Sequence, residues 1–153
     1  MRTGVGIGYD LAQMTSHARP PIISLMLAVP DTPAAVEWYE RALGAKLLWS
    51  LGSVAGLMIE GAPFFLGQPE PTRNRQPWQT PQALGMPTCR VEVFCDDPDA
   101  LVARALTAGA TGSLDAVRDH KMPWGTHRQG GFTDPFGHIW LVGDRSPLRE
   151  WPR

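Results

Sequence analysis

A chain of 153 residues suits one domain, or two small modules sharing a core, and is too short for two large domains. Hydrophobic residues at 43% and charged residues at 19% describe a globular protein. The formal net charge of -1 removes the electrostatic reason to expect nucleic acid or an anionic membrane as a partner, and favours partners that are neutral or mixed in charge.

In chain order, residues 1–21 read as a flexible leader. Its "GVGIGYD" resembles a dinucleotide loop only in glycine content. Such a loop must follow a strand and open a helix so that phosphate meets free N–H groups, and no strand pattern precedes these glycines. No charged-then-apolar leader and no apolar run near about 18 residues occurs, so a cytoplasmic protein without a membrane partner is expected. Cys89 and Cys95 fall in one predicted strand, where a rise of about 3.3 Å per residue holds them roughly 20 Å apart. That is too far for a disulfide and suits a reducing compartment.

Two stretches then share one plan. "LAVPDTPAAVEWYERALGA" (27–45) and "VFCDDPDALVARALTAGA" (93–110) each run from an apolar strand through aspartate and proline into an amphipathic helix and a Gly-Ala exit. The aspartates suit N-caps, the prolines sit where a missing N–H costs nothing, and Gly44 and Gly109 suit left-handed C-caps. Val36, Tyr39 and Leu43, then Leu101, Ala105 and Ala108, recur at spacings of three and four, which gives each helix one face to lay on a sheet.

Three strand-like pieces follow the first helix, "AKLLWSL", "GLMIEG" and "APFFLG"; three follow the second, "TGSLDAV", "GTHRQGGF" and "HIWLVGD". Each half therefore reads β-α-β-β-β. Between the modules (22–67 and 88–145, together the domain 22–145), a proline-rich loop at 68–87 carries Arg73, Arg75 and Trp78. A loop of this length is a pocket-covering lid, a dimer-contact arm or a solvated connector. Residues 146–153 form a tail containing Trp151.

The doubled unit, the phrase "VPDTPAAVEWYERALGAKLLW" and the closing "DPFGHIWLV" together resemble the vicinal oxygen chelate superfamily, the glyoxalase, bleomycin-resistance and extradiol-dioxygenase group. The resemblance implies an α+β fold in which two tandem βαβββ modules form a curled eight-stranded mixed sheet around a cavity, with helices outside. It also implies a homodimer whose partner often completes the pocket. One scaffold of this kind hosts lyases, dioxygenases, epimerases, thiol transferases and drug-binding proteins.

Metal-using members place His, Glu or Gln on the inner faces of the first, fourth, fifth and eighth strands, where three or four ligands hold a divalent ion. Counting from Asp31, Asp97 and Asp134 puts those positions here on Ser24, on Phe64 or Leu66, on Arg90 and on Leu141. None supplies a carboxylate or imidazole, so neither metal nor other cofactor is expected. His120, His127 and His138, with Asp119 and Asp134, match no compact zinc spacing. The "DPFG" turn has a structural account, because Asp134, Pro135 and Gly137 suit a type I turn.

If position 90 faces inward, so do Arg90, Glu92 and Phe94, and on the first strand Ser24, Met26 and Ala28. Arg90 and Glu92 either neutralise each other or read a ligand. Trp49, Trp78 and Trp124 could sandwich a planar guest, although core packing or dimer contact is an ordinary use for Trp49. Alternation turns Trp140 toward the helices and lets only one of His127 and Arg128 face the cavity. The expected ligand contacts are thus Met26, Trp49, Trp78, Arg90, Glu92, Phe94, Trp124, Arg128 and Leu141. The leading expectation is a metal-free binding protein for an aromatic metabolite or antibiotic. The alternatives are an enzyme performing proton transfer with Glu92 or His127 as base, and the family's metal-dependent chemistry.

Overall fold

The computed structural model describes residues 21–70, 78–112 and 116–148. The leader through residue 20, Arg73, Arg75 and Trp151 lie outside them. The first module runs β1 (Met26–Ala28), α1 (Thr32–Leu43), β2 (Lys46–Ser50), β3 (Val54–Ile59) and β4 (Ala62–Gly67). After the short α2 (Pro81–Leu84), the second runs β5 (Arg90–Phe94), α3 (Pro98–Thr107), β6 (Arg118–Met122), β7 (Gly125–Thr133) and β8 (Ile139–Gly143), with a 3-10 turn at Ser146–Leu148.

Both main helices begin as their sequences dictate. Asp31 accepts the Ala34 amide and Asp97 the Ala100 amide, each at 2.9 Å, which satisfies donors the first turn would leave unpaired. Gly44 ends α1 at φ 65, a left-handed conformation that releases the Gly44 and Ala45 amides to Glu40 O and Tyr39 O.

The eight strands form two four-stranded mixed sheets, ordered β1-β4-β3-β2 and β5-β8-β7-β6. In each sheet the first strand of the module runs parallel to the last, and the other pairs are antiparallel. This is an α+β fold of tandem βαβββ modules.

One core serves both modules. Leu27, Ala55, Leu57, Phe64 and Leu66 from the first sheet, Val29 just after β1, and Phe132, Trp140 and Val142 from the second sheet close over the buried faces of α1 and α3. The two helices are pinned to each other by Trp38 Nε1 donating to Ala108 O and Arg104 Nε to Ala42 O, both at 2.8 Å. At the centre, Asp134 is 2% exposed and accepts four hydrogen bonds. Tyr39 Oη (2.6 Å) and Trp140 Nε1 (2.9 Å) reach Oδ2; the Phe136 and His138 amides (2.9 Å each) reach Oδ1. The "DPFG" segment is therefore a turn, with Gly137 N donating to Asp134 O, and also the polar joint between modules. Burial pushes the Tyr39 hydroxyl well above its ordinary range, and the Asp134 carboxylate adds to the rise.

Two expectations need correction. The sixth strand is Arg118–Met122 and not 111–117, a stretch in which Thr111 makes an isolated bridge to Thr133 and 113–115 fall outside the described residues. "RDHKM" is a polar strand at the sheet edge, so it has no apolar alternation to announce it. The 68–87 connector also holds the short helix α2, capped by the Thr80 hydroxyl and closed by Gly85 at φ 77. Among the described residues no helix is long and apolar enough to cross a membrane.

Candidate functional site

Strand alternation gives each sheet a second face, turned away from the helices. Since Leu27, Ala55, Leu57, Phe64 and Leu66 point into the core, Met26, Gly56, Met58, Phe65 and Gly67 point the other way. Two glycines shape this concave face by leaving room for rings. A Cβ at Gly56 would lie 2.8 Å from the Trp49 indole, and one at Gly67 would lie 2.9 Å from the Trp78 indole and 3.2 Å from Met26 Sδ. Phe65 completes the surface, with its ring centroid 5.8 Å from that of Trp49. A bulge between Leu47 and Trp49 turns Trp49 onto this face. Met26 is 51% and Trp49 40% exposed, so this apolar surface is open. Beside it a cavity of ≈ 290 Å³ runs under the connector, between Met26, Trp78, Leu84 and His138.

On the second sheet, Val91 and Val93 pack against the core, so Arg90, Glu92 and Phe94 share the concave face. Arg90 and Glu92 are both exposed, and among the described residues neither makes a hydrogen bond or ion pair. Leu141 faces the same way, against Gly131. Trp124 sits in the β6–β7 hairpin, donates to Ser146 Oγ at 3.3 Å, and places its ring 6.4 Å from that of His127.

The structure separates His127 from Arg128. His127 lies on the concave side, 4% exposed, with its ring over Gly143. Arg128 lies on the helix side and is committed there. Nε and Nη2 donate to Asp99 at 2.6 and 2.7 Å, and Nη1 donates to Asp119 at 2.9 Å, tying α3 to β6 and β7. Hydrogen bonding from Arg128 lowers the Asp99 carboxyl, and both carboxylates hold the guanidinium above its ordinary value. Arg128 therefore has no access to a guest on the concave face.

The positions where relatives hold a metal can be tested by their chemistry. Ser24 donates its hydroxyl to Pro63 O at 2.6 Å. Phe64 and Leu66 are buried toward the helices, so the inward fourth-strand residues are Phe65 and Gly67, which the sequence count misses by one. Arg90 is cationic and Leu141 is an alkyl chain. These side chains do not fit a divalent cation. The three histidines disperse as well: His138 donates from Nε2 to Ala28 O (2.8 Å), His120 from Nε2 to Gln129 O (3.3 Å), and His127 turns to Asp144. Among the described residues no group of three His, Cys, Asp or Glu is placed to hold a metal.

A larger cleft of ≈ 360 Å³ opens between the modules, where residues 23–25 and the β3–β4 hairpin approach β5. Glu92 and Phe94 line it together with Phe64, Arg104 and Arg145. Arg145 bridges its rim, 3.0 Å from Asp96 and 4.0 Å from Glu60. Nothing in the strand periodicity announces this cleft, because it lies between two sheet edges.

Fold and face together define a class of protein: paired βαβββ modules whose sheets turn a partly aromatic face away from the helices. Residues 22–142 match the Glyoxalase/Bleomycin resistance protein/Dioxygenase superfamily, and the chain belongs to it. An uncharacterized protein of Mycobacterium bovis is 34% identical over 139 residues, covering 85% of this chain and 86% of the relative. An uncharacterized protein of Mycobacterium tuberculosis (strain H37Rv) has the same identity over the same length and is covered to 76%. Among solved structures, TioX from Micromonospora sp. ML1 aligns at TM-score 0.63 and 26% identity over 82% of this chain and 98% of TioX. A glyoxalase/bleomycin resistance protein/dioxygenase from Nocardioides, at 24% identity and TM-score 0.56 over 87% and 88%, shares the fold.

Proposed function

We propose that this protein is a metal-free small-molecule-binding member of its superfamily that encloses a planar, partly aromatic guest, a secondary metabolite or antibiotic. The observation that carries the reading is the set Met26, Trp49, Phe65 and Trp78, of which Met26 and Trp49 are exposed and Phe65 and Trp78 half-buried, with Trp49 over Gly56 and Trp78 and Met26 over Gly67. Flat rings over glycines give a guest stacking area with no chemistry required. Burying about 200 Å² of apolar guest surface at about 25 cal/mol per Å² contributes about 5 kcal/mol. Arg90 and Glu92, both without a partner among the described residues, supply orienting polar contacts. The family's description includes bleomycin resistance proteins, which supports an antibiotic as the class of guest.

The reading includes a homodimer. Leu47, Leu48 and Leu51 are exposed in and beside edge strand β2, and a second copy would cover them and deepen the pocket. It also places the protein in the cytoplasm, where Cys89 and Cys95 stay reduced; burial pushes the Cys95 thiol up and makes it a poor nucleophile.

The test is calorimetric titration with planar aromatic probes, in parallel with light scattering for oligomeric state. Trp49→Ala and Trp78→Ala should each weaken binding about tenfold or more. A protein that takes up no planar probe would refute the binding assignment, and a monomer at micromolar concentration would refute the dimer. A second reading, proton transfer without metal, is favoured by Glu92 and His127 sharing the concave face. Glu92→Gln would then abolish turnover while leaving binding intact.

A further inference from the structure

The reading of the concave face as a ligand surface can be carried further at His127. Its Nδ1 lies 2.9 Å from Asp144 Oδ1 and 3.0 Å from Ser146 Oγ. Asp144 also accepts the Ser146 amide on Oδ1 and the Arg128 amide on Oδ2, both at 2.9 Å. Burial pushes the Asp144 carboxyl up, but the Ser146 hydroxyl, the Arg128 amide, His127 and the Ser146 amide together outweigh it and hold the group well below the usual carboxylate range. An ionised carboxylate only accepts, so the proton of the neutral imidazole sits on Nδ1 and Nε2 is left as a lone-pair acceptor.

The backbone makes room for that acceptor. A Cβ at Gly143 would stand 2.6 Å from His127 Cε1 and 2.9 Å from Nε2, so only glycine lets the ring lie over β8. Among the described residues Nε2 has no hydrogen-bond partner, and it is not among sealed, unsatisfied polar atoms. The next residue across the ladder is Phe94, paired with Gly143 and facing the same way. A fixed acceptor thus shares a sheet face with Phe94, and the Trp124 ring lies 6.4 Å from its own.

We propose that His127 Nε2 accepts a hydrogen bond from a weakly acidic hydroxyl, a phenol or enol, on an aromatic guest. This tautomer selects against two other chemistries. A carboxylate has no proton to donate, and a methyl ether would strip water from Nε2 and return nothing. The dyad is a recognition device built from β7, β8 and the turn that follows.

The test is a matched pair of probes, 2-naphthol and 2-methoxynaphthalene, titrated calorimetrically at neutral pH. The wild-type protein should bind the phenol about tenfold tighter than the ether. His127→Phe should bring the two affinities together. Gly143→Ala, which drives the ring off β8 while keeping the imidazole, should do the same. Nitrogen-15 spectra of the wild-type protein should show the Nδ1–H tautomer and a shift at Nε2 when 2-naphthol is added, and these readings decide the matter if the variants fail to fold. Equal affinity of the two probes, or an Nε2–H tautomer, would overturn the inference and leave the binding assignment standing. If neither probe binds, the binding assignment falls and the inference falls with it.

Discussion

Removing the Tyr39 hydroxyl isolates one contact in the joint between modules. Tyr39 is fully buried, and its hydroxyl donates to Asp134 Oδ2 at 2.6 Å across 95 residues of sequence. Tyr39→Phe keeps the ring and its packing against Trp38, Phe64, Phe136 and Trp140, with centroids 5.1 to 5.7 Å away. Only a hydrogen bond to a carboxylate is lost, and Trp140 Nε1 still occupies Oδ2. The cost should be about 2 kcal/mol, the usual range for a bond to a charged group, and Tm should fall by about 4–8 °C for a chain of this size. Asp134→Asn should cost more, about 3 kcal/mol or above, because the new amide turns N–H groups toward the indole donor and the buried network loses its common acceptor.

The assay is urea unfolding at fixed protein concentration, with unchanged slope as the check that only stability has moved. The double variant should cost less than the sum of the single ones, since both remove the same bond. Tyr39→Phe within about 0.5 kcal/mol of wild type, or strict additivity, would refute the joint as an energetic link. Alkaline titration gives an independent reading, because one of the chain's two tyrosines should resist ionisation until the protein unfolds.

Three further outcomes follow from the site. The Asp144 carboxyl is held low in the folded state, so the unfolded chain binds the proton more readily. The stability it contributes is present above about pH 4 and is lost as pH falls through the folded value; Asp144→Asn should flatten acid unfolding curves in that window. Gly56→Ala places a methyl group 2.8 Å from the Trp49 ring and should cut planar-probe affinity severalfold, read by tryptophan fluorescence, at a stability cost of about 1–3 kcal/mol. Arg128→Ala removes the ties to Asp99 and Asp119 on the helix side and should leave probe affinity within about twofold, by calorimetry; a larger loss would place Arg128 at the ligand after all.

Much of this site is legible because strand alternation is a strict rule. Once Asp31, Asp97 and Asp134 anchor the count, Met26, Arg90, Glu92, Phe94 and Leu141 fall on the concave face in both reading and structure. The rule fails where its anchor is distant or its pattern is interrupted. On β4 the count is off by one, which hides Phe65 and Gly67. On β2 the bulge before Trp49 changes which face the indole takes. Between His127 and Arg128 the sequence has no preference, and the decision comes from Asp99 on α3 and Asp144 after β8, both remote in the chain.

The duplicated module, its helix caps, its C-terminal glycine turns and the unsuitability of Ser24, Arg90 and Leu141 as cation ligands were determined by the sequence alone. Each depends on a residue's own chemistry or on neighbours within a turn or a strand. The pairing of Asp134 with Tyr39 and Trp140, the seating of rings on Gly56, Gly67 and Gly143, and the tautomer imposed on His127 were decided only by tertiary structure. Those contacts join strands and helices far apart in sequence, and a one-dimensional pattern carries no distance between them.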